Sequence, residues 1–156
     1  MATVADLELA RGARVPRDMS VLDAAQRLVD EGVSGVAVVD PEDRVVGVLT
    51  AQGVIRSLFP PYLDALRHTA FVHEALDALA RRADEAAGER AGEHMTRAET
   101  VAPGDSTLHA AERFLHSEAG ALVVVEDGRF VAVLDRVAFA RGLLGQARGT
   151  GGAAGG

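Results

Sequence analysis

One unit occurs twice in this chain. Val15 to Leu58 reappears as Val101 to Leu143 with one residue fewer. Shifted by 86 positions, Ser20 falls on Ser106, Leu22 on Leu108, Arg27 on Arg113 and Val38-Val39 on Val124-Val125. Past the turn Pro41-Glu42-Asp43, shortened to Asp127-Gly128, the shift drops to 85 and pairs Arg44 with Arg129, Val48-Leu49 with Val133-Leu134 and Arg56 with Arg141. A repeat of this length is one supersecondary unit that completes its core against its copy. The duplication therefore limits the architecture more than any single residue does.

Each copy reads as the same run of elements. A short strand ends near Val15, and Ser20 can cap a helix with Asp23 at its third position. Leu22, Ala25, Leu28 and Val29 then fall on one helical stripe, and Gly32 and Gly35 stop it. Val36 to Val39 is a strand too apolar to keep one face in water, so it is expected to be buried on both sides. Asp40 to Asp43 turns, Arg44 to Leu49 returns as a strand, and Thr50 caps a last helix to about Leu58. The second copy gives Ser106 as cap, a stripe of Leu108, Ala111, Phe114 and Leu115, strands Leu122 to Val125 and Arg129 to Leu134, and Asp135 as last cap.

A β-α-β-β-α unit carrying Gly32-Val33-Ser34-Gly35-Val36-Ala37-Val38-Val39-Asp40 and then Gly47-Val48-Leu49-Thr50 resembles a CBS domain. Two in tandem resemble a CBS pair, or Bateman module. The resemblance covers roughly residues 3–58 and 91–144. It implies an α+β fold of tandem repeats with a helical insertion: repeat 1 at 1–58, the insertion at 59–90, repeat 2 at 91–146 and a flexible Gly/Ala tail at 147–156.

In that family the cleft between repeats commonly holds AMP, ATP or S-adenosylmethionine, so the resemblance implies an adenosine-type ligand and no required cofactor. The carrying pattern is Gly, two apolar residues, Thr or Ser, two further residues and Asp, whose hydroxyl and carboxylate meet the ribose. Here Thr50 is present but Gly53 stands in place of Asp; in the second copy Asp135 replaces the hydroxyl residue and Ala138 the Asp. Arg56 and Arg141 follow where a ligand phosphate would lie, and the adenine would rest on Val36, Ala37 and Val38 or on Leu122, Val123 and Val124. Each of these has an ordinary role as well. Thr50 and Asp135 serve as helix caps, the arginines as surface ion pairs, and the strand residues as core. Two functions remain open: a ligand-sensing regulatory module that signals to a partner protein, and a ligandless dimerising scaffold.

Composition narrows the class. A formal charge of −7 opposes nucleic-acid binding through phosphates, and the chain has no Cys for disulfides or thiolate metal sites. A reducing cytosol is the expected compartment, with no export signal at the first residues and no run of the roughly 18 apolar residues that would insert in a membrane. Five scattered histidines form no metal set, and no nucleophile elbow or phosphate loop is present, so no enzymatic activity is expected. Phe59-Pro60-Pro61 should break the helix before it, and Tyr62 to Arg67 can form about two turns. Val72, Ala75, Leu76, Leu79, Ala80 and Ala83 mark an amphipathic helix that either packs on its own domain or serves as a docking or dimer surface. Val54, Ile55 and Leu58, with Phe139, Leu143 and Leu144, are expected to bury against a second copy in a twofold homodimer.

Overall fold

Ser20 and Ser106 begin the first helix of each repeat as a side-chain cap requires: their hydroxyls accept from Asp23 N and His109 N, each at 3.1 Å. The computed structural model describes residues 2–58, 72–118 and 120–153. Repeat 1 comprises β1 (Arg14–Pro16), α1 (Val21–Glu31), β2 (Gly35–Val39), β3 (Val45–Thr50) and α2 (Ala51–Leu58). Between the repeats lies α3 (Val72–Ala86), and α4 (Ala91–His94) opens repeat 2. The rest of repeat 2 comprises β4 (Thr100–Val101), α5 (Thr107–His116), β5 (Ala121–Glu126), β6 (Arg129–Asp135) and α6 (Arg136–Ala153). The segment read from Phe59 to Arg67 lies outside the described residues.

Each repeat builds a three-stranded sheet, β1-β2-β3 and β4-β5-β6, with its outer pairs parallel and antiparallel in the same order. Even the bulge recurs. The register slips between Val38 and Val39 and again between Val124 and Val125. All five residues of β2 are buried, as an uninterrupted apolar run demands. Gly32 closes α1 with φ +65°, the left-handed conformation that lets its N–H reach back to Leu28 O and Val29 O.

The stripes read in α1 and α5 are buried in part: Leu28 lies in the core and Leu22, Ala111 and Phe114 pack against it, but the most deeply buried positions also include Val21, Ala24 and Ala110. Val21, Ala24 and Leu28 face the core of α1, whereas Val29 is 68% exposed; in α5 Ala110 is buried and Leu108 is 79% exposed. Apolar residues cover more than one stripe of these helices, and the small Ala24 and Ala110 allow the closest approach to the sheet. Likewise α6 runs on to Ala153, into the segment read as a flexible tail. Glycine costs a helix about 1 kcal/mol per residue, but each residue added to a formed helix gains one backbone bond, and no proline interrupts this run.

The two repeats exchange their leading segments. Ala10 and Val133 trade both backbone hydrogen bonds at 2.9 Å, and Val48 and Thr96, 85 and 86 positions away, do the same. The N-terminal segment places Val4 in the core of repeat 2, with Val4 N donating to Asp105 O. The segment after α4 packs Met95 and Ala98 on the core of repeat 1. Glycine is needed where it crosses. A Cβ on Gly47 would lie 2.6 Å from Met95 Sδ and 2.9 Å from Thr96 O.

The inserted helix α3 and the short α4 at the start of repeat 2 pack on α1 and α2. The face of α3 turned inward is Ala78, Arg82 and Ala86 rather than the leucine stripe: Ala78 and Ala86 are buried and Leu76 is 59% exposed. Small side chains let the helices approach, and the Arg82 stem fills the gap between them. Its Nε donates to Ser57 O at 2.8 Å, its two terminal nitrogens hold Glu89 bidentately at 2.9 and 2.8 Å, and His94 Nε2 meets Glu89 Oε2 at 2.6 Å.

The Arg82 hydrogen bonds hold the Glu89 carboxyl below the usual carboxylate range against the opposing effect of burial, and Glu89 in turn raises Arg82. A carboxyl with a depressed folded pKa contributes stability that is complete above its unfolded value, about 4.3, and fades as pH falls through the folded value. Glu89→Gln is therefore expected to lower the melting temperature at pH 7, with the gap to wild type closing as pH drops below about 4. Melting curves from pH 3 to pH 7 check this; a gap that does not change with pH contradicts it.

Candidate functional site

The exchange of segments leaves two clefts between the repeats, and they are counterparts of each other. Cleft 1, of 480 Å³, opens between the β3–α2 junction with Thr50, Ala51, Gln52 and Arg56, and residues Thr96, Arg97, Glu99, Ser117, Glu118 and Gly120 of the other half, with Ser34 and Arg136 completing it. Cleft 2, of 300 Å³, sets Asp135, Val137, Ala138 and Arg141 against Glu8, Leu9, Ala10, Glu31, Gly32 and Val33, with Val133 beside them. Thr96 and Ala10, Ser117 and Glu31, Thr50 and Asp135, and Arg56 and Arg141 occupy matching places at the repeat spacing.

The duplication gives the clefts one shape and the side chains give them opposite character. Cleft 1 carries Arg56, Arg97 and Arg136 against Glu99 and Glu118. Cleft 2 carries Glu8, Glu31 and Asp135 against Arg141 alone. Arg141 Nη1 is moreover paired with Glu8 at 2.7 Å. Glu99 in cleft 1 is engaged by Arg113 at 3.3 Å, while among the described residues Arg56 and Arg97 have no hydrogen-bond or ion-pair partner. An anion is therefore attracted to cleft 1 and repelled from cleft 2.

Thr50 and Asp135 are helix caps. Thr50 Oγ1 accepts from Gly53 N at 2.9 Å and starts α2, and the residue lines cleft 1. Asp135 is 7% exposed. Its Oδ2 accepts from Val137 N at 3.2 Å, and its Oδ1 accepts from Ser34 N, in the opposite repeat, at 2.6 Å. Both carboxylate oxygens of Asp135 thus hold the fold together.

The strand residues named as an adenine platform are elsewhere. Val36, Ala37, Val38, Leu122, Val123 and Val124 are fully buried in the core and line neither cleft. The reason is topological: β2 and β5 are the central strands of their sheets, with helices on one side and the opposite sheet on the other. The sequence reading in turn missed Arg97, Glu99, Ser117 and Glu118. No local pattern marks them, because Arg97 and Glu99 belong to a segment that crosses to the other repeat and Ser117 and Glu118 to the end of α5; Arg136 was missed as well, since the repeat register pairs it with Ala51.

A family model for the CBS domain matches residues 11–60 and again 91–145. The chain belongs to the CBS-domain family. Solved CBS pairs share its fold. The crystal structure of the CBS-pair protein CBSX2 from Arabidopsis thaliana is 25% identical, with a TM-score of 0.71 and coverage of 94% of this chain and 96% of that one. The same protein solved in complex with AMP gives 25% identity, a TM-score of 0.67 and coverage of 94% and 99%. The CBS domain pair of protein MJ0100, solved with 5′-methylthioadenosine and S-adenosyl-L-methionine, shares the fold at 19% identity, a TM-score of 0.67 and coverage of 94% and 98%. No curated protein sequence matches the chain. Among the described residues no helix is long and apolar enough to cross a membrane, and no cluster of His, Asp and Glu could hold a metal ion.

Proposed function

We propose that this CBS pair is a non-catalytic cytoplasmic sensor that binds an adenine nucleotide in cleft 1 and passes its occupancy to a protein partner. The observation that carries the reading is the pair Arg56 and Arg97, two guanidiniums without a partner among the described residues on the wall of a cleft of 480 Å³. A guanidinium left unpaired in a concave site is a phosphate receptor that costs no existing bond to use. Thr50 supplies a hydroxyl for the ribose beside it. The AMP complex of CBSX2 supports adenosine as the ligand class. Because a ligand in cleft 1 touches both repeats, its binding favours one relative placement of the halves, and a partner that reads this placement receives the signal.

Calorimetric titration of the whole chain with AMP, ADP, ATP and S-adenosylmethionine tests this. Binding is expected for the phosphate-bearing ligands, with affinity falling as salt rises. No heat for any of the four at millimolar concentration would replace the sensor with a ligandless scaffold, the reading favoured by Gly53 and Ala138 standing where the family keeps a carboxylate.

The same proposal includes a homodimer. Ile55 is 58% exposed, and Leu143 and Leu144 also reach solvent from α6. Phe139, read as part of this face, instead packs inward on Phe114 with ring centroids 5.0 Å apart, and Val54 and Leu58, also read there, pack on the core of repeat 1. Burying Ile55, Leu143 and Leu144 removes apolar area from water at about 25 cal/mol per Å². Light scattering is expected to give twice the chain mass, and Ile55→Glu to give the monomer; a monomeric wild type at tens of micromolar (about 10–50 μM) contradicts it.

A further inference from the structure

A second hollow of 350 Å³ adjoins cleft 1 and shares Arg56 and Thr96 with it. Its remaining walls are Gly53, Ser57, Arg82, Glu93, His94 and Met95. The Arg56 side chain thus borders both spaces and can hold one anionic group where they meet. Gly53 lines the hollow beside Arg56: a Cβ there would lie 3.2 Å from Thr50 Oγ1 and 3.8 Å from His94 O, and a longer side chain would occupy the hollow.

The two spaces differ in what they ask of a ligand. Arg82, which lines the hollow, already has its charge offset by the bidentate Glu89 carboxylate and donates its Nε–H to Ser57 O, and His94 Nε2 is engaged by Glu89. The hollow therefore has no spare cation for a phosphate of its own. It offers a carboxylate at Glu93, of which one oxygen accepts from Arg90 N, together with the Thr96 hydroxyl and the thioether of Met95. Acceptors beside a soft apolar wall suit a neutral group rich in hydroxyls. At 350 Å³ the hollow is in the range of ordinary ligand sites, roughly 300–1,000 Å³.

We infer that cleft 1 and this hollow form one extended site for a nucleoside diphosphate esterified to a second sugar or nucleoside: adenosine in cleft 1, the diphosphate at Arg56, and the neutral half beside Gly53. The inference rests on the assignment of cleft 1 to an adenine nucleotide. It gives the Gly53 departure from the family pattern a role, since the residue that would carry a ribose carboxylate is the one whose absence leaves room in the hollow.

Calorimetry with ADP and ADP-ribose tests it on the full chain. ADP-ribose carries less negative charge than ADP, so electrostatic attraction alone would make it the weaker ligand. The expected result is ADP-ribose binding at least about tenfold more tightly than ADP in the wild type. In Gly53→Leu the Cβ presses on Thr50 Oγ1 at 3.2 Å and disturbs both ligands alike, while the rest of the side chain occupies the hollow, so the ratio of the two affinities should fall to about one. Gly53→Ser, with its smaller side chain, should reduce the ratio by about threefold and serves if the leucine variant does not fold. ADP binding with no gain for ADP-ribose overturns the extended site and leaves the sensor in place. A gain that survives in folded Gly53→Leu places the second sugar elsewhere and overturns it too. Binding of neither ligand overturns the assignment of cleft 1 itself.

Discussion

Asp135→Ala is expected to lower the melting temperature by about 5–12 °C, the largest loss anticipated from a single polar substitution. The Asp135 carboxylate accepts from Ser34 N at 2.6 Å across the repeat boundary and from Val137 N at 3.2 Å within α6. A charge-assisted bond of the first kind contributes about 1.5–3 kcal/mol, and the loss of a helix cap costs about 1 more. Alanine also leaves Ser34 N–H without its acceptor in a half-buried place. Asn keeps an oxygen at that point and should recover about half of the loss. In the other repeat, Thr50→Ala removes a cap and no bond between repeats, so a drop of about 2–4 °C is expected there. Scanning calorimetry of the three variants checks the order; equal losses at positions 50 and 135 would show that the Ser34 bond contributes nothing.

Arg56→Ala is expected to weaken nucleotide binding by about 10- to 100-fold, the range of one charge-assisted contact to phosphate. Arg141→Ala, at the matching place in repeat 2, should change affinity by less than about threefold, because Arg141 is spent on Glu8 in a cleft of net negative character. Titration of both variants with AMP at low and moderate salt makes the comparison. A larger loss from Arg141 than from Arg56 would move the ligand to cleft 2. The same result would remove the electrostatic ground for choosing between the clefts.

How much of this was legible in the chain depends on how far each feature reaches. The repeat register gave the element order, the caps Ser20, Ser106, Thr50 and Asp135, and the doubly buried β2, because each follows from neighbours a few residues away. The helix stripes were right at Leu28, Ala111 and Phe114 and wrong at Val29, Leu108 and Leu115. Leu22 and Ala25 fit a stripe as well as Val21 and Ala24 do, and only the distance to the sheet separates them. In α3 hydrophobicity misled at Leu76, since two alanines and an arginine stem pack better between close helices than it does, while Leu79 and Ala83 are half-buried. The site was half legible. Thr50 and Arg56 do line cleft 1, placed by the turn out of β3, but their partners Arg97 and Glu118 come from the other half. The pairing of Asp135 with Ser34 spans 101 positions and has no local trace.

The exchanged leading segments make each half incomplete without the other. Repeat 1 separated from repeat 2 would lack Met95 and Ala98, and repeat 2 separated from repeat 1 would lack Val4 and the Ala10 bridge. A single such unit could finish its core only by finding a twin in solution, at a rate set by its own concentration. Joining two units in one chain replaces that encounter with a tethered partner, whose availability no longer depends on how dilute the protein is. Fusion also released the two copies from identity. Once the halves no longer had to serve as each other's mirror, one seam between them could become basic and the other acidic, which no symmetric pair of free units can do.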